Sequence, residues 1–416
     1  MERSRMRRWA AAGAGLILWM AVSPVVAAAI SPASFPASPV VASTDSGAAT
    51  EREQPPIQIT APSAILMEAS TGQVIFEKNA HERRNPASIT KIMTLIVAFD
   101  AIRDGKVKLD DKVTISEEAA KQVGTIIFAD EGETFTLAEL LKSVAVGSAN
   151  DAAVAVAEHV SGSVEAFVQA MNAKAKELGM KDTEFKNPTG LSAEGHLTSA
   201  YDIALMSRYA VLNYPELVEL TSIYEADLQV PWRRNGPIFK LWNNNKLLTW
   251  YPGADGLKTG WTQAAGYCLA ATASRNGLRM ISVIMGADTW KKRNAEAAKL
   301  LDYGFANYTS VELAGKDQKV GEVAVSRGKA VTVDAVAKAP FAVGIPKGAQ
   351  DRLQSEVRLE RSVQAPVKQG QVLGEIVATL DGKELARMPV VAAADVPRAS
   401  LWESILLQTR RIFTLR

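Results

Sequence analysis

The chain has 416 residues, enough for two or three domains with sizeable cores, and its 47% hydrophobic and 22% charged residues are those of ordinary globular protein. Lys and Arg total 47 against 45 Asp and Glu, a net charge of +2. Arg3, Arg5, Arg7 and Arg8 against Glu2 supply +3 of this at the extreme N-terminus, so the rest of the chain carries −1; that near-neutrality excludes the basic stripe that nucleic-acid binding needs. A single cysteine, Cys268, excludes an intrachain disulfide and a Cys-rich zinc site, and the only histidines are His81, His159 and His196.

In chain order, residues 1–29 read as a secretory signal peptide: four arginines, an apolar run from Ala10 to Val22, and Ala27-Ala28-Ala29 as a small-residue cleavage site. An uncleaved membrane anchor is the alternative, although the run is shorter than the ~20 residues of a spanning helix. Either way the remainder is expected to be exported, outside the cytoplasm. Residues 30–57, rich in Ala, Ser, Pro and Thr without hydrophobic period, read as a disordered linker.

Residues 58–308 read as one domain. Ala64 to Met67 and Val74 to Phe76 are short apolar runs separated by Ser70-Thr71-Gly72, the pattern of a hairpin. A turn at Pro86-Ala87-Ser88 leads into a buried helix at Ile92 to Val97. Helical patterns follow at Thr136 to Val146, Asp151 to Val160 and Val164 to Leu178. Strand character returns at Tyr267 to Ala273 and Met280 to Met285, before a helix at Arg293 to Phe305. Strands flanking a helical middle predict an α+β fold whose sheet draws on both ends of the domain.

Residues 309–396 change texture. Short Val-rich alternating runs (Val320 to Val325, Ala330 to Val333, Val372 to Val377) recur between Gly, Pro and Lys, predicting a small all-β, sandwich-like domain without chemistry of its own. Residues 397–416 predict an amphipathic helix opened by Pro397. At 100° per residue Leu401, Trp402, Ile405, Leu406, Ile412 and Phe413 share one face and Glu403, Arg410 and Arg411 the other, with Leu407 the exception. Such a helix packs on its own domain or lies in a membrane interface; its terminal position favours the interface.

Three short motifs occur in order: Ser88-Ile89-Thr90-Lys91, Ser148-Ala149-Asn150 and Lys258-Thr259-Gly260. Each alone has an ordinary explanation, as an N-cap, a loop serine and a strand-entry turn. Together, after an export signal, they point to nucleophilic catalysis. Ser88 and Lys91, three apart at a helix start, share a face. A serine hydroxyl needs a base, and Lys91 can serve if burial beside a second cation such as Lys258 keeps it neutral. Ser148 and Asn150 fall in a predicted loop between helices, where a hydroxyl can relay a proton and an amide can hold a peptide bond. Gly260, without a side chain, lets substrate approach a strand backbone, and Lys258 and Thr259 can meet a carboxylate. His196 reads as a structural hydrogen-bonding residue.

These motifs, with Asn187-Pro188-Thr189-Gly190-Leu191, Ser199-Ala200-Tyr201-Asp202 and Asp255-Gly256-Leu257, resemble the low-molecular-mass penicillin-binding proteins of the D-alanyl-D-alanine carboxypeptidase type. Those are peptidase S11-like enzymes of the serine β-lactamase superfamily. Ala365-Pro366-Val367 with Gly370 and Gly374 resembles the family's C-terminal β domain, so the likeness runs from about residue 60 to 416. The resemblance implies a β-lactamase/transpeptidase-like catalytic domain, no cofactor and no metal, and peptidoglycan stem peptides ending in D-Ala-D-Ala as substrate. β-Lactams would be covalent inhibitors, and the tail would attach to the outer face of the cytoplasmic membrane. Residue by residue it implies Ser88 as nucleophile, Lys91 as base and Ser148 as proton relay to the leaving D-Ala. Asn150 would bind the substrate amide, Lys258 would supply positive potential, and Thr259 and Arg293 would bind the terminal carboxylate. The backbone N–H groups of Ser88 and Trp261 would form the oxyanion hole.

Two residues depart from the usual pattern: Ala149 stands where glycine is common, and Trp261 where histidine is frequent. A β-lactamase is the nearest rival, but no Glu-x-x-Leu-Asn stretch for activating the deacylating water lies between the second and third motifs. A catalytically idle wall-binding scaffold is the other.

Overall fold

The computed structural model describes residues 57–230, 236–400 and 402–403. The predicted signal, nearly all of the predicted linker and most of the predicted tail helix lie outside them. Helices and strands alternate through the first 250 described residues. They are β1 (Ser63–Glu68), β2 (Val74–Lys78), α1 (Lys91–Arg103), β3 (Lys112–Thr114), α2 (Glu117–Ala120), β4 (Thr134–Thr136), α3 (Leu137–Ala145), α4 (Asn150–Ser161) and α5 (Val164–Glu177). Next come α6 (Ala200–Asn213), α7 (Pro215–Ser222), β5 (Glu225–Gln229), β6 (Ile238–Trp242), α8 (Leu247–Trp250), β7 (Ala254–Thr262), β8 (Gly266–Arg275), β9 (Leu278–Ala287) and α9 (Trp290–Asn307).

Five strands form one antiparallel sheet in the order β2-β1-β9-β8-β7, so β7 is an edge. The first two strands of this domain thus join its last three, as the sequence pattern predicts. On β9, Ile281, Val283 and Met285 pack with the helical layer, whereas Met280 and Ile284 face α9 with Leu300 and Leu301. The sheet is therefore covered on both faces, and its central strands read as continuous apolar runs rather than alternating ones. Helix α1 is apolar almost all round and is buried from Lys91 through Phe99, so its first residue, Lys91, is buried with it.

Local signals set the ends of the elements. Thr136 and Glu139 form a reciprocal capping box at α3. Ser163 and Thr289 cap α5 and α9 through their side chains, and Gly162 closes α4 in a left-handed conformation. The two-stranded pairs β3–β4 and β5–β6, with strands of three and five residues, were not predicted from the sequence.

Beyond α9 the chain is all β: β10 (Tyr308–Ala314), β11 (Lys319–Ser326), β12 (Thr332–Ala337), β13 (Phe341–Pro346), β14 (Leu353–Leu359), β15 (Ser362–Gln364), β16 (Val372–Leu380) and β17 (Lys383–Ala392). A six-stranded sheet, β14-β16-β17-β12-β11-β15, and the pair β10–β13 enclose a core containing Val323, Ala335, Val343, Ile345, Leu373, Ile376 and Val390. The predicted tail helix does not open at Pro397. The Pro397 carbonyl accepts from Lys329 N–H and Ala399 N–H donates to Arg327 O, each at 2.9 Å, which ties residues 397–399 to the β domain. Ser400 and Glu403 then exchange side-chain-to-backbone bonds in the manner of a capping box, so helix starts after Ser400. Among the described residues no helix is long and apolar enough to cross a membrane.

Candidate active site

Ser88 lies half-buried in a 3-10 turn, Ala87–Thr90, that runs directly into α1. In 3-10 geometry residues i and i+3 eclipse, and Lys91 Nζ stands 3.3 Å from Ser88 Oγ. Lys91 is 0% exposed. Its amine also donates to Asn150 Oδ1 and to the Thr189 carbonyl, both at 2.6 Å. Burial, and then the charge of Lys258, hold its pKa well below that of an ordinary lysine, with Asp151 opposing them. A neutral amine has two N–H donors and one lone pair. The two carbonyl acceptors match the donors, which leaves the lone pair for the Ser88 hydroxyl.

Asn150 is the first residue of α4, not a loop residue as predicted; Ser148 and Ala149 do lie between α3 and α4. The Asn150 amide donates to Val123 O at 2.6 Å, and its backbone N–H to Thr125 O at 2.7 Å. Asp151, buried beside it, accepts from the N–H groups of Ile127, Ala129 and Ala152. Ser148 is buried with φ +59°, and Ala87, just before Ser88, has φ +49°. Left-handed conformations at non-glycine residues cost about 1–3 kcal/mol each and gather at functional sites.

Strand β7 carries the third motif along the edge of the sheet. Lys258 is buried and its pKa falls to about 7, chiefly through burial and then through Arg293. Its Nζ donates to the Thr259 carbonyl at 3.1 Å. Arg293, in the first turn of α9, is buried too, and its pKa drops to about 10 for the same leading reason. Its Nε donates to Asn294 Oδ1 at 3.0 Å. Thr259 is buried, whereas Trp261 is 57% exposed with its ring 6.0 Å from that of Tyr267.

Gly260 packs against the Ser88 turn. A Cβ there would meet Pro86 O at 2.9 Å, Ala87 Cβ at 3.0 Å and Ser88 N at 3.1 Å. The backbone that approaches this glycine closely is that of the Ser88 turn itself. Gly190 plays the same part from the other side: with φ +82°, its Cβ would fall 1.9 Å from Ala87 O. Asn187 Oδ1 organises the Gly190 turn by accepting from Thr189 N, Thr189 Oγ1 and Gly190 N, which aims the Thr189 carbonyl at Lys91. His196 accepts from Lys186 N at Nδ1, so its Nε2 carries the proton that bonds Thr90 Oγ1, which in turn donates to Ala87 O. Burial pushes this histidine down to about 4, the neutral structural residue expected.

The structure therefore brings Ser88, Lys91, Asn150 and Lys258 into one cluster, with Ser148, Thr259, Gly260, Trp261 and Arg293 on the adjoining elements. Sequence reasoning gave Asp151, Thr189 and Gly190 no task. The stretch Asn187-Pro188-Thr189-Gly190 entered only through the family resemblance, and nothing in the sequence tied its carbonyl to a lysine 98 residues away.

The sequence profile of the D-alanyl-D-alanine carboxypeptidases of peptidase family S11 matches residues 48–289, and that of the penicillin-binding protein 5 C-terminal domain matches residues 308–398. The D-alanyl-D-alanine carboxypeptidase DacF of Bacillus subtilis is 44% identical over 340 residues, covering 82% of this chain and 86% of the relative. The crystal structure of penicillin-binding protein 5 from Haemophilus influenzae is similar over 83% of this chain and 100% of that one, with TM-score 0.65 and 36% identity. Penicillin-binding protein D2 of Listeria monocytogenes, solved in its ampicillin-bound form, is similar over 61% of this chain and 100% of that one, with TM-score 0.53 and 31% identity. With a buried lysine against a turn serine, a second buried lysine on the edge strand, and both domain profiles in register, the chain belongs to the D-alanyl-D-alanine carboxypeptidase family of serine peptidases, peptidase family S11.

Proposed function

We propose that this protein removes the terminal D-alanine from peptidoglycan stem peptides ending in D-alanyl-D-alanine, through an acyl-enzyme on Ser88. The observation that carries the reading is the wholly buried Lys91 amine 3.3 Å from Ser88 Oγ, its other bonds taken by Asn150 Oδ1 and Thr189 O. Neutral Lys91 accepts the Ser88 proton as Oγ attacks the penultimate carbonyl. The N–H groups of Ser88 and Trp261 receive the developing oxyanion. Ser148 passes a proton to the departing D-alanine. Water then attacks the ester with Lys91 again as base, which frees Ser88 and the shortened peptide. Asn150 holds the substrate amide, and Lys258, Thr259 and Arg293 hold the terminal carboxylate. A β-lactam, whose amide and carboxylate mimic those of the dipeptide, acylates the same oxygen.

Residues 1–29 act as export signal and 30–57 as linker on this reading. Residues 58–308 carry the catalysis, 309–396 form the β domain, and 397–416 seat the protein on the outer face of the cytoplasmic membrane. The amphipathic pattern of the tail supports that seating.

Incubation with benzylpenicillin followed by intact-mass measurement tests the chemistry, alongside D-alanine release from a D-Ala-D-Ala peptide. A long-lived one-to-one adduct with D-alanine release is expected, and both vanish in Ser88→Ala. Release that persists in the variant would remove Ser88 from the mechanism; an adduct lost within seconds without release would make the enzyme a β-lactamase.

A further inference from the structure

A buried arginine is ordinarily paired with a carboxylate, and among the described residues none pairs with Arg293. It is 4% exposed, and the titratable groups that act on its charge are Lys258 on β7 and Cys268 and Tyr267 on β8. Helix α9 opens Trp290-Lys291-Lys292-Arg293 with no acid in its first turn, although a helix N-terminus favours anions. The neighbouring Asp288 pairs with Lys292 at the surface.

Both groups that hold the guanidinium are neutral. Nε donates to Asn294 Oδ1 at 3.0 Å, and Nη2 donates to the Asn244 carbonyl at 3.4 Å. That carbonyl is fixed from either side. Asn243, buried, donates to Thr221 O and Ile223 O and accepts from Asn245 N. Asn245, also buried, donates to Gly256 O on the strand that carries Lys258. One N–H at Nε and one at Nη2 are thus taken. Those left, on Nη1 and Nη2, form the fork that meets a carboxylate with paired hydrogen bonds.

Asn294 is a costly choice for the fold. It is 4% exposed, and its Nδ2 has no hydrogen-bond partner among the described residues. An aspartate of the same shape would leave no orphan donor, would bind the guanidinium more strongly and would suit the start of a helix. It would also cancel the charge that a substrate carboxylate needs.

We infer that Asn294 is a positioning residue: its neutral amide, with the Asn244 carbonyl, aims the Arg293 fork without neutralising it, and so sets the preference for a free C-terminal carboxylate over an uncharged C-terminus. This rests on the reading above, in which Arg293 meets that carboxylate.

The full chain is assayed with Nα,Nε-diacetyl-L-lysyl-D-alanyl-D-alanine and with the same peptide as its C-terminal amide, and kcat and KM are read for each. The wild type is expected to favour the free acid in kcat/KM by roughly tenfold or more, the scale of a charge-assisted hydrogen bond. Asn294→Asp should bring that ratio toward one by raising KM for the acid. Its kcat for the acid and both constants for the amide should stay within about twofold of wild type, while Tm holds or rises. Asn294→Leu, which removes the acceptor without adding charge, should lower the ratio by less. A wild-type ratio near one, an unchanged ratio in Asn294→Asp, or equal losses on both peptides in the two variants overturns the inference. Arg293→Gln separates that failure from failure of the reading beneath it. A ratio that Arg293→Gln lowers and Asn294→Asp does not would leave Arg293 on the carboxylate and remove only Asn294; a ratio that neither changes would take the carboxylate from Arg293 itself. No release from either peptide by the wild type would sink the carboxypeptidase reading, and the inference with it.

Discussion

Two buried lysines divide the proton states of the site between them. In the proposed mechanism Lys91 must be neutral to take the Ser88 proton, and Lys258 must be charged to hold a carboxylate. The charge of Lys258 raises the cost of charging Lys91, and burial depresses both pKa values. With Lys258 at about 7, its charge is present below that pH and lost as pH rises through it. The alkaline limb of kcat/KM should therefore report Lys258, and the acid limb Lys91. Arg293 is the charge that depresses Lys258 further. Arg293→Gln removes that repulsion, so the Lys258 pKa rises and the alkaline limb moves to higher pH. If Arg293 holds the substrate carboxylate as proposed, the same change deletes a donor worth about 1.5–3 kcal/mol, so KM should rise about tenfold or more. Steady-state kinetics across pH 5–10 check both. An alkaline limb that stays in place would dissociate Arg293 from Lys258.

At the scale of elements, the reactive turn is clamped between two glycines from distant parts of the chain. Gly190 closes on Ala87 O from the loop before α6, and Gly260 closes on Pro86 O and Ser88 N from β7. His196, through Thr90, holds the same turn from below. Gly260→Ala would press a methyl group against backbone that has no rotamer with which to yield, so the turn must shift. Overpacking of this kind costs about 1–3 kcal/mol. The expected outcome is a moderate fall in Tm with a loss of at least roughly a hundredfold in the penicillin acylation rate, because a displacement near 1 Å is enough to spoil attack. Stopped-flow acylation with thermal denaturation measures the two effects, and a proportionate loss in both would make Gly260 merely structural.

This clamp also marks where the sequence stopped being informative. Ser88 and Lys91 were legible together because three residues of helical rise bring them to one face. The α+β order was legible because β1, β8 and β9 carry apolar runs of strand length. The Gly190 and Thr189 contacts were not, since a local sequence stretch does not say what distant backbone it touches. Gly260 was singled out, yet for substrate rather than for the turn, because a glycine reports that something approaches without reporting what. The β5–β6 hairpin escaped notice although Ala226 and Leu228 alternate with Glu225, Asp227 and Gln229, because strands of five residues are too short for a two-residue period to stand out.

Across the whole molecule, the β1–β2 turn couples the catalytic layer to the β domain. Glu68 is buried, and its carboxylate accepts from the backbone and hydroxyl groups of both Ser70 and Thr71. Arg208, on α6, donates to the carbonyls of Ala69 and Ser70, and Gly344 N–H, on β13, donates to Ser70 Oγ at 3.1 Å. A polar turn is thus gripped by a catalytic-domain helix and a β-domain strand at once. Gly344 is the weak point of the grip, because a Cβ there would stand 2.4 Å from the Glu68 side chain. Gly344→Val cannot be accommodated while Glu68 keeps its four bonds, so the junction should open before either core yields. The two domains would then melt in separate calorimetric transitions, and the radius of gyration from solution scattering would rise. D-Alanine release from a soluble peptide should persist, since none of the residues around Ser88 contacts Gly344. A single transition with unchanged scattering would show that the domains are held by the α9–β10 junction instead, and that the Glu68 turn is an internal brace of the catalytic domain.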